Sequence, residues 1–127
     1  MNYKTKLIEN TWTPKGRKLF STGWGNGYVL IPKDHPFHGV DYDTINKFVN
    51  VHGGLTYSDS CTSSVIQSFG LEDEDQGKWM IGFDTAHSGD NEERWHKAAV
   101  QAETDCLLAQ VIGCAGLTKE EVIHEQN

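Results

Sequence analysis

The first two-thirds of the chain alternates short apolar runs with polar or glycine-rich breaks, a pattern typical of β-strands and turns. The apolar runs predict strands over residues 5–12, 19–22, 28–31, 48–52, 55–58, 65–69 and 78–84. The breaks predict loops: 23–27, the exposed prolyl segment 33–43, residues 58–64 and the acidic, mobile-looking segment 71–77. Gly53-Gly54 permits the positive φ angles of a tight turn and predicts a hairpin between 48–52 and 55–58.

The last third of the chain changes to a helical period. Small and apolar residues recur at steps of three and four, at Trp95, Ala98, Ala99, Ala102, Cys106 and Ala109. Asp90 and Glu93 have the spacing of a capping box, which predicts a long amphipathic helix that starts there and ends near Gly113. Thr118 and Glu121 repeat this spacing and predict a second, short helix.

No linker, repeat or low-complexity segment divides the chain, and its 127 residues match the commonest domain size. We therefore expect one domain over residues 1–127. Its predicted fold class is α+β, with a small antiparallel β-sheet in the first two-thirds, followed by the long helix and the short C-terminal helix.

The charge balance disfavours one class of partner. A formal net charge of −7, from 11 basic and 18 acidic residues, opposes binding to a nucleic-acid polymer. A small anionic ligand needs only a local basic cluster. Lys15, Arg17 and Lys18 form one such cluster near the start, and Arg94 with Lys97 form another.

The surroundings of the protein are also predicted. No apolar run is long enough to cross a bilayer, and the first residues lack the apolar region of a secretory signal. The three cysteines are an odd number without metal-ligand spacing, so a disulfide framework is not expected. We expect a soluble, cytoplasmic protein with no membrane partner and no cofactor.

The segment KWMIGFDTAHSGDN, residues 78–91, carries the densest candidate chemistry. Strand alternation places Trp79, Ile81 and Phe83 on one face. The following turn holds four polar residues, Asp84, His87, Asp90 and Asn91. Such a turn commonly carries function, because a rigid frame presents it. The structural alternative is that Asp90 caps the helix, Asp84 holds the turn and Phe83 is core.

Two further segments are weaker candidates. In VHGGLTY, His52 stands beside two glycines that allow close approach of a ligand, although an ordinary hairpin with an exposed histidine explains the pattern better. In WGNGY, Trp24 and Tyr28 flank a Gly-Asn26-Gly turn and would offer a stacking face for a purine. A plain hairpin turn explains that pattern equally well.

Two other groups of residues have the chemistry of a metal or hydrolytic site. His35, His38, Asp41 and Asp43 offer metal ligands within one loop, but a solvated loop explains them better. Asp84, His87 and Asp90 have the chemistry to hold a divalent ion or to support acid–base hydrolysis. No G-x-S-x-G, P-loop or HExxH motif is present. We therefore predict no catalytic residue and no resident metal.

Three blocks together resemble a known family. GYVLIPKDHPF, VHGGLTYS and WMIGFDTAHSGD, followed by a long helix, are similar to the phage Thoeris anti-defence proteins of the first-described type. The resemblance covers about residues 27–108. It implies a sponge that binds a small cyclic nucleotide-type immune messenger, a cyclic ADP-ribose isomer or a cyclic oligonucleotide, without cleaving it. It also implies recessed pockets between subunits of a homodimer or higher homo-oligomer, within the infected bacterial cell.

The resemblance also implies residue roles. Phe83 would stack on adenine, and Asn91 would hydrogen-bond the ribose or phosphate region. The family's arginines late in the long helix have no counterpart, because no basic residue lies between 105 and 118. Arg94, Lys97 or the N-terminal cluster would then contact phosphate. The expected ligand-binding set is Trp24, Asn26, His52, Tyr57, Phe83, Asp84, His87, Asn91, Arg94 and Lys97.

Two other functions remain open from the residues alone. The first is a small metal-dependent hydrolase of a nucleotide that uses Asp84, His87 and Asp90. The second is an acidic protein–protein inhibitor of a host defence complex, which would act through its charged face.

Overall fold

A four-stranded antiparallel sheet organises the chain in the computed structural model, which describes residues 2–10 and 22–124. The strands are β1 (Lys4–Glu9), β2 (Gly25–Ile31), β3 (Tyr57–Ser60) and β4 (Trp79–Phe83). Their order across the sheet is β1-β2-β4-β3. Strand β4 pairs with β2 on one side and with β3 on the other, and is therefore an inner strand of the sheet.

Four helices complete the described part of the chain. They are α1 (Tyr42–Ile45), α2 (Ser63–Phe69), α3 (Lys97–Gly113) and α4 (Lys119–His124), and a 3-10 turn covers Asp73–Asp75. The predicted fold class, an antiparallel sheet followed by a long and a short helix, is confirmed. None of the helices within residues 2–10 and 22–124 combines the length and hydrophobicity that a bilayer span requires.

Each face of the sheet packs against a helix. The first face presents alternate residues of β2 and β4 to α3, and this core includes Val29, Ile31, Ile81, Phe83, Val100, Leu107 and Val111. The helix comes so close that a Cβ on Gly27 would lie 2.0 Å from Thr104 Oγ1. The second face packs against α2 and contains Tyr28, Leu30, Cys61 and Met80, with Val65, Ile66 and Phe69 beside them.

Several strand and loop predictions were wrong. The glycine-rich segment 23–27 is not a loop throughout, because β2 begins at Gly25. A side chain at Gly25 would collide with the backbone of β1, 2.1 Å from the Ile8 oxygen. The predicted strand 65–69 belongs to α2, which Thr62 caps at its start and Gly70 ends at a φ of 64°. Predicted residues 11–12 and 19–21 lie outside the described ranges.

The predicted hairpin around Gly53-Gly54 is also wrong. Both glycines have positive φ, 69° and 78°, as a tight turn requires. However, residues 48–52 form no strand, and β3 starts only at Tyr57. The turn therefore serves another purpose than to join two paired strands.

The two loops predicted to be exposed or mobile contain buried anchors. In 33–43, His35 is 3% exposed and Phe37 is fully buried. In 71–77, the Asp75 side chain is fully buried and binds both Lys4 and Lys78. These side chains fix the loops to the sheet, which composition alone did not indicate.

The long helix begins later than predicted. Its N-cap is His96, whose Nδ1 accepts a hydrogen bond from the Ala99 N–H, and Asp90 does not cap it. The face that α3 buries consists of Val100, Thr104, Leu107 and Val111, while Ala98, Ala102, Cys106 and Ala109 are exposed. The predicted capping box of α4 is confirmed, because Thr118 and Glu121 exchange hydrogen bonds of 3.0 Å.

Candidate functional site

The turn that follows β4 is built by its own carboxylates. Asp84 Oδ1 accepts the Ala86 N–H at 3.0 Å, and Asp90 Oδ2 accepts the His87 N–H at 2.9 Å. Gly89 supplies the positive φ of 89° that reverses the chain. These local bonds explain why short polar residues crowd here, since each satisfies a backbone donor of the turn.

The His52-Gly53-Gly54 turn is held from two sides. Asn46 accepts the Leu55 N–H at 2.7 Å and donates to the Leu55 carbonyl at 3.2 Å. On the other side, Glu103 of α3 accepts the His52 N–H at 2.7 Å. The turn is therefore positioned by contacts from two separate parts of the fold, and His52 projects from a fixed backbone.

These two turns meet in a cluster of His52, His87 and Asp90, which we call the histidine–aspartate cluster. His52 Nε2 lies 2.8 Å from Asp90 Oδ1, and His87 Nδ1 lies 3.3 Å from Asp90 Oδ2. A carboxylate can only accept, so these ring nitrogens donate to it. A Cβ at Gly53 would lie 2.3 Å from His87 Cε1, so that only glycine admits the second histidine ring.

Two tryptophans border the cluster. The Trp95 ring packs on His52 with centroids 4.2 Å apart and planes inclined by 32°. The backbone N–H of Trp24 donates to the Trp95 carbonyl at 2.7 Å, which connects the start of β2 to the segment before α3. Lys97 Nζ stands 5.5 Å from the centroid of the Trp24 ring, a cation–π distance. Trp95 thus packs directly on the cluster, and the Trp24–Lys97 pair is connected to it through the Trp95 backbone.

The electrostatics of the cluster favour an anionic Asp90. Burial raises the pKa of its carboxyl, but the His87 N–H and the His52 ring outweigh that effect and leave the pKa below its ordinary value. Asp84 Oδ1 adds a second carboxylate oxygen 3.5 Å from His87 Nδ1. Both histidines therefore face negative charge.

Asn91 and the predicted phosphate-binding residues Arg94 and Lys97 lie on the protein surface. Asn91 and Arg94 are exposed, and Asn91 Oδ1 accepts the Arg94 N–H at 2.8 Å. Together with Glu93 they line an open depression in the surface. Lys97 begins α3 one turn further along. Lys15, Arg17 and Lys18 lie outside the described residues.

Two predicted site residues lie on the other face of the sheet. Asn26 Nδ2 is 3.5 Å from the Tyr28 hydroxyl, and the Tyr57 ring meets Tyr28 edge-on with centroids 5.6 Å apart. Burial raises the pKa of Tyr57 to about 12, with neighbouring Asp59 adding to the effect. The sheet thus separates this pair from the tryptophans, and the predicted set does not form a single surface.

Phe83 does not fit the stacking role expected of it. Its side chain is 1% exposed and belongs to the core between the sheet and α3. The predicted alternation is observed, but the helix covers the face on which Phe83 lies. Its ring has no free face for a ligand, and the structural alternative describes it better.

The histidines of the 33–43 loop act as anchors. His35 Nε2 donates to the Val111 carbonyl at 2.8 Å, and its Nδ1 accepts the Phe37 N–H at 2.9 Å. His38 Nε2 lies 2.8 Å from the Gly77 carbonyl, and Asp41 caps α1. The prediction of a solvated loop is wrong, because His35 is buried and both histidines are bound to backbone carbonyls.

Sequence reasoning missed two residues that shape the site. Trp95 was predicted as the first residue of the helical pattern, whereas it precedes α3 and packs on both the core and His52. Glu103 lies in the middle of α3, and its side chain accepts the backbone N–H of His52. His96 caps α3, so the position of Trp95 directly before it was the available signal for Trp95. No local pattern indicated the role of Glu103. No protein-family model matches the chain, and no curated protein or solved structure matches it.

Proposed function

We propose that this protein is a phage or prophage anti-defence protein that binds and sequesters a small cyclic nucleotide-type messenger, such as a cyclic ADP-ribose isomer, without cleaving it. One observation carries the proposal. The blocks VHGGLTYS and WMIGFDTAHSGD, on which the family resemblance rests, meet through the 2.8 Å contact between His52 and Asp90. Two blocks distant in sequence thus form one continuous site.

The chemistry around that site suits such a ligand. Indole rings provide faces on which adenine can stack, and Trp24 with Lys97 already forms a cation–π pair at one edge. Arg94 and Lys97 are exposed and able to pair with phosphate. The stacking role assigned to Phe83 passes to Trp24 in this proposal, because Phe83 is buried.

Sequestration sets a requirement on affinity rather than on reaction rate. A sponge stabilises the bound ground state and needs no preference for a transition state. To hold a scarce messenger it must bind with a nanomolar Kd, about −12 kcal/mol. Two cations, a stacking ring and hydrogen-bonding turns are the kind of contacts that such an affinity requires.

Homo-oligomerisation forms part of the proposal. The outer face of α3 carries small and apolar residues that are exposed in the single chain. They are Ala98, Ala102, Cys106, Ala109 and Ile112. A second copy packed on this face would remove it from water and would form a recess between subunits. Sedimentation of the purified protein tests this part separately.

A capture experiment tests the function. Purified protein is mixed with cyclic ADP-ribose isomers and divided into two samples. The folded protein is removed from one by filtration, the other is first denatured by heat, and the nucleotide left in solution is analysed by chromatography. We expect intact nucleotide to leave solution with the folded protein and to return on heating. Nucleotide that remains free in solution contradicts the proposal.

Matched variants connect capture to the site. Trp24→Ala and Arg94→Ala/Lys97→Ala are expected to weaken capture by at least tenfold, because they remove a stacking face and the phosphate partners. Lys33→Ala is the control, since it removes a positive charge near the opposite end of β2. Equal capture by all variants would place the ligand elsewhere.

The histidine–aspartate cluster favours a second candidate, a metal-dependent nucleotide hydrolase. Two imidazoles and a carboxylate are donor groups of catalytic zinc sites. The capture experiment separates the two functions, because a hydrolase releases a new product while a sponge returns the original compound.

A further inference from the structure

The histidine–aspartate cluster brings three donor groups close together. One ring nitrogen from each of His52 and His87 and one carboxylate oxygen of Asp90 all lie within 4.8 Å of one another. No other group of three such side chains was found in residues 2–10 and 22–124. Imidazole nitrogens and carboxylate oxygen are ligands of borderline transition metals such as Zn²⁺.

The separations agree with the ligands of a single ion. With Zn²⁺ bonds of about 2.0–2.1 Å, two ligands of a tetrahedral site lie about 3.3 Å apart. His52 Nε2 lies 2.8 Å from Asp90 Oδ1, and His87 Nδ1 lies 3.3 Å from Asp90 Oδ2, so each imidazole meets a different oxygen of the carboxylate. Binding of one ion would require side-chain rotations that bring one Asp90 oxygen and the two ring nitrogens together, from separations within 4.8 Å.

The side chains are also held in place from outside. Trp95 packs on the His52 ring, and the backbone of Gly53 lies against the His87 ring. Asp84 Oδ1 stands 3.5 Å from the same nitrogen, His87 Nδ1, and adds negative charge beside the three donors. Surroundings of this kind fix the direction of a ligand before the ion arrives.

One side of the cluster remains open to solvent. The Asp90 side chain is 5% exposed, whereas those of His52 and His87 are 25% and 36% exposed. An ion can therefore reach the three donors, and a water molecule or another ligand can complete its coordination. A carboxylate buried behind two accessible imidazoles forms an open site rather than a closed structural one.

We propose that His52, His87 and Asp90 form a binding site for a divalent transition metal of the Zn²⁺ type. The bound ion would cross-link the two turns that carry the sequence resemblance. The proposal is independent of nucleotide capture, since it concerns the ion alone. The competing explanation is that Asp90 only accepts hydrogen bonds from two histidines and orients them.

Titration with a spectroscopic probe separates these explanations. Chelator-treated full-length protein is titrated with Co²⁺, and the visible absorption of the ion is followed; Zn²⁺ is then added as a competitor. We expect one saturable site per chain, and displacement of Co²⁺ by Zn²⁺. Failure to saturate with either ion at millimolar concentration would overturn the proposal.

Variants then assign the ligands. His52→Ala, His87→Ala and Asp90→Asn are each expected to weaken Co²⁺ binding by at least 100-fold, because loss of an outer partner alone commonly costs 10–100-fold. His124→Ala is the matched control, since His124 lies 3.6 Å from Glu120 as an exposed imidazole–carboxylate pair. Binding that survives the first three substitutions, or that depends on His124, overturns the assignment.

A measurement on the unaltered protein covers the case in which a variant does not fold. Long-range ¹H–¹⁵N spectra report on each of the six histidine side chains. Zn²⁺ is expected to shift the ring nitrogens of His52 and His87 and to leave those of the other four in place. Shifts confined to other histidines would contradict the site.

Discussion

Strand β4 has an aspartate-centred cluster near each of its ends, and the two clusters differ in their partners. At one end, buried Asp75 binds Lys4 at 2.7 Å and Lys78 at 2.9 Å, which we call the lysine–aspartate cluster. At the other end, Asp90 binds His52 and His87 in the histidine–aspartate cluster. Both carboxylates also accept a backbone N–H from a residue three positions earlier.

The difference in partners separates a structural cluster from a binding site. Ammonium groups have no lone pair for an ion or ligand, and their charge is permanent at neutral pH. Imidazoles accept as well as donate and change protonation near neutrality. The same arrangement around a carboxylate therefore fastens β1 to the sheet at one end, and forms an adaptable site at the other.

The largest expected effect concerns the core that both ends share. Phe83 closes β4 on the side of the site, and its side chain is 1% exposed. Phe83→Ala is expected to lower the free energy of unfolding by about 3–5 kcal/mol, because it leaves a cavity against α3. Chemical denaturation measures this. Phe69→Ala, at a half-buried position on the other face, should cost less, and an unchanged unfolding midpoint for Phe83→Ala would show that its ring is free to act on a ligand.

Phe83 also illustrates what the sequence can and cannot indicate. Alternation correctly placed it on one face with Trp79 and Ile81. Which face the long helix covers depends on contacts between distant segments, and the spacing of residues within β4 carries no information about them. Phe83, at the edge of a candidate functional turn, was therefore assigned to the ligand although it belongs to the core.

Local signals succeeded where the interaction itself is local. The Thr118–Glu121 capping box predicted α4, since both hydrogen bonds lie within one turn of helix. The short apolar run at 65–69 was ambiguous, because strands and short helices share such runs. Thr62 and Gly70, which cap and end α2, were the residues that distinguish the two.

The site itself was only half predictable. Asp84, His87 and Asp90 were identified from one polar turn, since they are neighbours in sequence. The approach of His52 to Asp90 spans 38 positions and depends on Glu103 and Asn46, which hold the second turn. Asn26 and Tyr57 lie on the other face of the sheet, and the sequence did not indicate this, because the sheet between the two faces is a tertiary feature.

The next effect tests the lysine–aspartate cluster as a structural element. Asp75→Asn is expected to reduce the free energy of unfolding by about 3 kcal/mol, because it leaves the ammonium of Lys78, 11% exposed, without its charged partner. Urea denaturation provides the measurement, with Asp59→Asn on the exposed part of β3 as control. A loss below about 1 kcal/mol would mean that solvent compensates both lysines.

The pH dependence of the stability of the unaltered protein tests the same cluster without a substitution. Burial raises the pKa of Asp75, but hydrogen bonds from Lys4 and Lys78 outweigh that effect and bring it to about 2. The unfolded carboxyl, with a pKa of about 3.9, takes up its proton first as the pH falls. The resulting stabilisation, about 2 kcal/mol, is complete above pH 5 and is lost as the pH falls through 4 towards 2. Denaturant midpoints across this range should fall more steeply in the unaltered protein than in Asp75→Asn, and parallel curves would contradict the assignment.

The smallest effect distinguishes the two ends of β4 most sharply. In Asp90→Asn the amide oxygen can still accept the His87 N–H, and the His52 ring, 25% exposed, can hydrogen-bond to water instead of the lost carboxylate. We therefore expect a loss of only about 1 kcal/mol in the free energy of unfolding, with a large loss of metal binding. Denaturation and Co²⁺ titration on the same preparation measure both, and Asp59→Asn on the exposed part of β3 serves as the control for a carboxylate remote from the proposed ligands. If Asp90→Asn destabilises the protein as much as Asp75→Asn, the histidine–aspartate cluster is a structural fastening like the other, because a site adapted to bind tolerates a change in charge that a buried ion pair does not.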